Sequence, residues 1–309
     1  MDLNTEIQLG SIVEKGYYKL LKPIRNNSRI VLSKITKAKG ELNSCNGYGL
    51  FVPLKGNRQY TTPDDQLYVS PQQYLILNYN QTCTLDINTE EQPASLNLRI
   101  NKSYIDDAVY GLRSSTETLL NNPYPARSYN LDFNPGVFYL AQDSLGMFLS
   151  SIIDHLDITG EQLYIDENEV WLELAGHIVR TQQNMTTEMM NLPAKSSATR
   201  KELYKRLNKA KHIISESISS PLEISTLAKE VALSESHFFR SFKSTFGISP
   251  HQYFLKKKFE TAVHSLRKST IPIKEIAYNV GFDDVSSFGR TFKQLYRLSP
   301  GNYRKKFQD

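Results

Sequence analysis

Residues that bind metals, form disulfides or carry out catalysis are sparse in this sequence. Its two cysteines, Cys45 and Cys83, exclude a disulfide framework and are interpreted as free thiols in a reducing cytoplasm. All six histidines follow residue 154 without ligand spacing, so we predict no histidine-bound metal in the first half. Because a nucleophile elbow and a phosphate-binding glycine loop are also missing, we predict neither an enzyme nor a cofactor.

Long apolar runs and targeting signals are missing too. No stretch approaches roughly 18 consecutive apolar residues, the length at which a membrane-spanning helix becomes a candidate. Residues 1–6 provide neither the basic start nor the apolar run of a secretory signal. These absences predict a cytoplasmic protein with no membrane partner.

The charge of the chain is unevenly distributed. Its net charge of +5 comes from 37 lysines and arginines against 32 aspartates and glutamates. Residues 200–309 hold 21 basic and 10 acidic side chains, whereas residues 1–199 hold 16 and 22. The last third is therefore expected to bind a polyanion, and the rest is not.

The segment from residue 29 to residue 101 favours short strands. Leu96, Leu98 and Ile100 alternate with Asn97 and Arg99, which is the two-residue period of a half-buried strand. Strands this short at this spacing predict a β-barrel or sandwich. The predicted strands are 29–36, 48–52, 66–69, 74–79, 82–87 and 95–101.

After residue 102 the pattern becomes helical, and residues 137–153 and 167–184 are the strongest predicted helices. An apolar stripe on the second of these comprises Trp171, Leu174, Ala175 and Ile178. The stripe predicts either a subunit interface or packing on the protein's own sheet. Residues 191–199 have the composition of a linker, and a further helix is predicted near residues 200–217.

The last third of the chain contains one motif twice. The first copy extends from Leu227 to Tyr253 and the second from Ile276 to Tyr303, with an offset of 49 residues that becomes 50. Each copy has the pattern of a helix-turn-helix, in which one small residue lets two helices approach and another tolerates a left-handed turn. These roles fall on the matching pairs Ala228 with Ala277 and Ala232 with Gly281.

Apolar side chains at matching places are predicted to form the core of each copy. They are Leu227, Val231, Leu233, Phe238 and Phe242 in the first, and Ile276, Val280, Phe282, Phe288 and Phe292 in the second. Side chains that point away from this core are candidates for base contact, since base edges are read in the major groove. They are Ser236, His237, Phe239 and Arg240 in the first copy, and Val285, Ser286, Ser287 and Arg290 in the second.

Arg240 and Arg290 occupy equivalent places, and each predicts a bidentate contact with guanine. The alternatives are a phosphate contact or an intramolecular partner. Phe239 predicts contact with a thymine methyl group or packing between helices, while Gly289 offers no side chain and predicts fewer base contacts in the second copy. Phosphate contacts, which position the protein without reading sequence, are predicted for Lys243, Lys293, Arg304 and Lys305.

Ser249-Pro250 and Ser299-Pro300 each predict a helix start, because serine caps free amides and proline suits the first helical position. The helix predicted at residues 250–266 is about 25 Å long. That length suits two recognition helices in major grooves about one turn, roughly 34 Å, apart. The lysine run at residues 256–258 is interpreted as a solvated face, with DNA contact as the alternative.

Residues 200–307 resemble the AraC/XylS family of bacterial transcription regulators. The resemblance rests on the doubled motif, the Gly281-Phe282 turn, the Phe288-x-Arg290-x-Phe292-Lys293 core and the Leu298-Ser299-Pro300-x-x-Tyr303 close. It implies seven helices that hold two helix-turn-helix motifs joined by a long helix. It also implies promoter binding, commonly by an activator that contacts RNA polymerase, with base contacts at the eight candidate positions given above.

Three segments of the strand-rich region form a second pattern: Gly49-Leu-Phe-Val-x-Leu-Lys-Gly56, Asp65-Gln-x-Tyr68 and Pro71-x-x-Tyr74-Leu-Ile-Leu77. On these segments, residues 1–190 are more loosely similar to the cupin-like effector and dimerisation domains often fused upstream of such domains. The resemblance implies an α+β chain, with a cupin-like β-barrel or sandwich and trailing helices at 1–190, a linker at 191–199 and an all-α DNA-binding domain at 200–309. Thirteen of the 18 tyrosines precede residue 200 and suit either a pocket for a small polar ligand or ordinary strands. First guesses for such a pocket are Tyr48, Tyr60, Tyr68 and Tyr79, with Arg58 or Arg99.

The leading hypothesis is a regulator, expected to be an activator, that binds double-stranded promoter DNA as a homodimer and responds to a small-molecule effector. One alternative is a regulator whose N-terminal domain only dimerises or binds a protein partner. Another is an enzyme or storage module with a basic tail, whose DNA affinity would be sequence-blind and governed by salt.

Overall fold

The chain forms two compact units, Met1–Met185 and Thr186–Asp309. The first unit is rich in β-sheet and the second is helical, so the chain combines a mixed α/β part with an all-helical part. The computed structural model describes residues 9–10, 13–25, 28–43, 47–63, 66–79, 81–88, 94–122, 128–129, 133–159, 167–193 and 196–307.

In the described part of the first unit, nine strands precede residue 102, and the helices and one further strand follow it. The strands are β1 (Leu9–Gly10), β2 (Val13–Arg25), β3 (Ser28–Asn43), β4 (Gly47–Lys55), β5 (Arg58–Thr61), β6 (Gln66–Val69), β7 (Gln73–Leu77), β8 (Thr82–Asn88), β9 (Ala94–Asn101) and β10 (Gly136–Tyr139). The helices are α1 (Lys102–Arg113), α2 (Thr116–Asn121), α3 (Ser144–Thr159) and α4 (Glu167–Met190).

These strands form one antiparallel sheet. Its order is β10-β7-β4-β9-β3-β8-β5-β6, and β1 and β2 pair with β3. Within the described strands no pairing joins β6 to β10, so they make an open sheet rather than a closed barrel. The cupin-like barrel expected from the sequence is therefore not established by this topology.

All six predicted strands are found, but the helix predicted at residues 137–153 is wrong at its start. Residues 136–139 form β10, which pairs antiparallel with β7, and α3 begins only at Ser144. The reason is the free edge of β7, which Val137, Phe138 and Tyr139 can extend with β-branched and aromatic side chains. The sequence prediction also omitted β1, β2 and β5.

One face of the sheet is covered by α1, α3 and α4. Alternate residues of β4, namely Tyr48, Leu50 and Val52, point into this core and are at most 1% exposed. The apolar stripe of α4 belongs to the same core, and each of its members is likewise at most 1% exposed: Trp171, Leu174, Ala175 and Ile178. The stripe therefore packs on the protein's own sheet, the second of the two interpretations.

The opposite face of the sheet encloses a separate inner core. Leu75 and Leu77 of β7 reach it, together with Tyr60, Val69, Cys83 and Leu85 from β5, β6 and β8. Because β7 lies far from β5 and β6 in the strand order, the sheet must curl around these side chains. Burial raises the pKa of the Cys83 thiol to about 12, which keeps it protonated. Cys45 lies outside the described residues.

The helical unit contains seven further helices in its described part. Helix α5 begins within residues 191–199, the predicted linker, and covers the helix predicted near 200–217. None of the helices in the described part of the chain combines the length and hydropathy that crossing a bilayer requires. The seven are α5 (Ser197–Glu216), α6 (Ile224–Glu230), α7 (Glu235–Phe246), α8 (Pro250–Lys268), α9 (Ile273–Asn279), α10 (Val285–Tyr296) and α11 (Pro300–Phe307).

The start of α8 is fixed by a capping box, as its Ser-Pro signal predicts. The Ser249 hydroxyl accepts from the Gln252 amide at 3.2 Å, and the Gln252 side chain accepts from the Ser249 amide at 2.9 Å. We expect Ser249→Ala to lower the free energy of unfolding by about 1 kcal/mol, because the Gln252 amide at the start of α8 loses its hydroxyl acceptor. Urea unfolding measures this, with the exposed Ser225→Ala as control, and equal losses would contradict the capping role.

Candidate nucleic-acid interface

The first helix-turn-helix consists of α6, the turn at residues 231–234, and α7. Leu227 and Ala228 of α6 and Phe238 and Phe242 of α7 are at most 3% exposed. The rings of Phe238 and Phe242 stack edge-on with centroids 5.5 Å apart. This core fixes the orientation of α7, so the residues on its other face are presented to solvent.

The second helix-turn-helix repeats the arrangement with α9 and α10. Ile276, Ala277, Phe288 and Phe292 are at most 1% exposed and pack against Phe259 of α8. The predicted core is confirmed in both copies. Two of its ten members, Leu233 and Phe282, are only half-buried.

The turn of each motif requires a left-handed backbone, as predicted. Ala232 has a φ of 53° and Gly281 a φ of 70°. A Cβ atom on Gly281 would also lie 2.5 Å from the carbonyl oxygen of Ser219. Glycine is therefore required at the second turn for two reasons, whereas alanine at the first turn is strained only in its backbone.

A basic side chain from the preceding long helix holds the carbonyl of each turn. Arg206 of α5 donates through Nη1 to the Ala232 oxygen at 3.1 Å. Lys258 of α8 donates through Nζ to the Gly281 oxygen at 2.8 Å. Both turns are thus tied to the helix that carries them, which restrains the recognition helix that follows.

Lys258 is a contributor that the sequence interpretation missed. The sequence predicts a solvated face or a DNA contact for the lysine run, yet Lys258 is 7% exposed and lies near the rings of Phe254 and Phe282. Burial lowers the pKa of its ammonium group. The available signal was its spacing, because Lys258 precedes Ala262 by four residues on the buried face of α8.

The two recognition helices, α7 and α10, begin with side-chain caps. The Ser234 hydroxyl accepts from the His237 amide at 3.4 Å. The Asp284 carboxylate accepts from the amides of Ser286 and Ser287 at 3.0 and 2.7 Å. These hydrogen bonds hold the pKa of Asp284 below its ordinary value, and Arg290 lowers it further. The caps set where each helix begins and so which residues lie on its outer face.

On α7, spacings of three and four residues place Ser236, Phe239, Arg240 and Lys243 on one outer face. All four are exposed, as is His237. The Arg240 Nε donates to the Ser236 carbonyl at 3.3 Å. An open groove on this face is lined by Glu235, Ser236, Phe239 and Arg240.

On α10 the equivalent outer face carries Ser286, Gly289, Arg290 and Lys293, fifty residues after their counterparts in α7. Ser286, Arg290 and Lys293 are exposed, and a Cβ on Gly289 would meet nothing within 4 Å. Each recognition helix therefore presents serine, arginine and lysine at the same places. Only the first adds an aromatic ring.

Three other residues predicted to contact DNA are half-buried, unlike the exposed side chains of these outer faces. Val285 is half-buried against the core of the second motif. Ser287 is half-buried, and its carbonyl accepts from the Thr291 hydroxyl at 3.0 Å. Arg304 donates through Nη2 to the Ile271 carbonyl at 2.5 Å, while Lys305 beside it is exposed.

Comparison with known proteins gives matches within the helical unit. A helix-turn-helix domain family matches residues 227–306. The chain is 33% identical over 91 residues to a probable transcriptional regulator, LumQ, of Photobacterium leiognathi, covering 29% of this chain and 37% of that protein. It is 35% identical over 97 residues to the transcriptional regulator MtrA of Neisseria gonorrhoeae, covering 30% and 32%.

Among solved structures, the C-terminal domain of the response regulator yesN from Fusobacterium nucleatum is 35% identical, with 31% of this chain and 94% of that chain covered and a TM-score of 0.30. The chain thus spans about a third of the length of the curated relatives it matches. Its C-terminal part carries an AraC-type helix-turn-helix domain.

Proposed function

We propose that this chain is a DNA-binding transcription regulator of the AraC type, and that α7 and α10 bind successive major grooves of promoter DNA. The observation that carries the proposal is the repeated outer face of these helices. Both present serine, arginine and lysine at equivalent places, above cores that fix their orientation. Both belong to a segment with 21 basic and 10 acidic side chains.

The proposed base contacts are Ser236, His237, Phe239 and Arg240 on α7, with Val285, Ser286, Ser287 and Arg290 on α10. Among these, Arg240 and Arg290 are suited to guanine, because a guanidinium donates two hydrogen bonds to its N7 and O6 atoms. The proposed phosphate contacts are Lys243, Lys293, Arg304 and Lys305. The hydrogen bond from Arg304 to the Ile271 carbonyl occupies one of its donors, whereas Lys305 is exposed to solvent.

We further propose the division into an effector and dimerisation domain at residues 1–190, a linker at 191–199 and a DNA-binding domain at 200–309. In this proposal the first domain is cupin-like, pairs two copies of the chain and binds a small-molecule effector. The effector shifts the placement of the domains by binding one arrangement more tightly. Activation then proceeds through contact of the bound protein with RNA polymerase.

The proposal is tested by gel shift with the full chain and double-stranded fragments from promoters beside its gene. At about 150 mM salt, specific sites are expected to bind at least roughly a thousandfold more tightly than shuffled fragments of the same length. The double variant Arg240→Ala with Arg290→Ala serves as the control that should lose this preference. Equal affinity of the unaltered protein for promoter and shuffled DNA would overturn the proposal.

A further inference from the structure

The inner core of the sheet contains a buried cation. Arg58, at the start of β5, is 3% exposed and lies opposite Val69 in the β5–β6 pairing. It shares the inward face of β5 with Tyr60, which is 1% exposed and belongs to the inner core. The guanidinium group therefore points toward a core made of aliphatic and aromatic side chains.

The nitrogen atoms Nε and Nη2 of Arg58 are buried and have no hydrogen-bond partner among the described residues. The N–H bonds of Nε and Nη2 are parallel and lie on the same edge of the planar guanidinium group. That edge is the one that binds both oxygens of a carboxylate in parallel. The unsatisfied donors thus have the shape of a carboxylate site.

The titratable groups described next to Arg58, Tyr60 and Cys83, do not neutralise it. Burial raises the pKa of the Tyr60 hydroxyl, which stays protonated. The Cys83 thiol in the same core is neutral as well, since its pKa is also raised by burial. Arginine keeps its charge even where burial lowers its pKa. An unpaired buried charge is costly, so an anion that enters this core would be bound strongly.

We propose that the inner core binds a small organic carboxylate, whose charged end pairs with Nε and Nη2 of Arg58 and whose remainder is apolar. We infer that the rest of the ligand is apolar because it would contact the aliphatic side chains of this core, which are Val69, Leu75, Leu77 and Leu85. The Tyr60 hydroxyl is available as a further donor. The role of this ligand as an effector rests on the proposed function, but its binding does not.

The test is thermal unfolding and calorimetry of the full chain with a panel of monocarboxylates from acetate to octanoate, together with benzoate. The uncharged amides of the same acids, including benzamide, are the matched ligands. Arg58→Met removes the charge at similar length, and Arg58→Lys keeps the charge without the two-nitrogen edge. Lys55→Met, an exposed change on β4 in the same sheet, is the control variant.

We expect at least one acid to raise the unfolding midpoint of the unaltered protein and of Lys55→Met, while its amide does not. Arg58→Met should weaken that binding at least about tenfold, and Arg58→Lys should weaken it less, because truncation of one buried charged partner removes most of the interaction. If Arg58→Met fails to fold, Arg58→Lys alone decides the question.

Three results would overturn the proposal. They are the absence of any shift across the panel, equal shifts with acids and amides, or equal shifts in the unaltered and Arg58 variants. Because none of these measurements involves DNA, a failure here is distinguishable from a failure of the proposed DNA binding.

Discussion

Arg240→Ala is expected to reduce the preference of the protein for one base pair of its target by roughly 5- to 150-fold, or about 1–3 kcal/mol. The reason is that Arg240 is exposed on the outer face of α7 and that its hydrogen bond to the Ser236 carbonyl uses Nε. Its remaining donors can then reach N7 and O6 of a guanine. Competition binding against all single base-pair changes in a target site measures the loss.

Lys243→Ala is the matched control, because Lys243 lies on the same face less than one turn further along α7 and is also exposed. As a phosphate contact it should weaken binding to all sequences alike and lower the slope of affinity against salt by about one. If Arg240→Ala behaves in this way as well, Arg240 contacts a phosphate and the assignment to guanine is wrong.

Gly281→Ala is expected to lower the free energy of unfolding by at least about 2 kcal/mol. A left-handed backbone costs a residue with a Cβ about 1–2 kcal/mol, and crowding against a fixed backbone adds to this. The Cβ would lie 2.5 Å from the Ser219 carbonyl oxygen and 2.9 Å from Nζ of Lys258. Urea unfolding of the full chain measures the loss, and DNA affinity should fall with it because α10 follows this turn.

The corresponding change in the first motif should have the opposite sign. Ala232 already adopts a φ of 53°, so Ala232→Gly relieves the strain and is expected to add up to about 1 kcal/mol of stability. Losses of similar size for Gly281→Ala and Ala232→Gly would show that the left-handed turn does not explain either position.

The helical unit could be predicted well from the sequence because its signals are local and occur twice. Ser249 and Pro250 mark the start of α8. The small residues Ala228 and Ala277 mark the buried contact between the two helices of each motif. Lys258 could not be assigned in the same way. Its carbonyl partner, Gly281, lies 23 residues away, and only the fold brings them together.

The sheet-rich unit was less predictable because its structure depends on pairing between distant residues. The edge of β7 draws residues 136–139 into β10, although the sequence after them is strongly helical. Leu77 of β7 and Tyr60 of β5 likewise belong to one inner core, and no local sequence pattern predicts that they pack in the same cluster. From the sequence, Arg58 is only one of several candidates for a ligand pocket. Its burial could not be predicted because it results from the pairing of strands that are distant in the chain.

Helix α8 has one further consequence for the DNA that the chain can bind. Its Tyr253 ring packs on Phe242 of the first motif, and six residues later its Phe259 packs on Phe288 and Phe292 of the second. One helix, about 28 Å long, thus packs on the cores of both motifs and holds them at a fixed separation. Lengthening the DNA between the two contacted stretches by about five base pairs would turn the second stretch to the far side of the duplex, where α10 cannot follow.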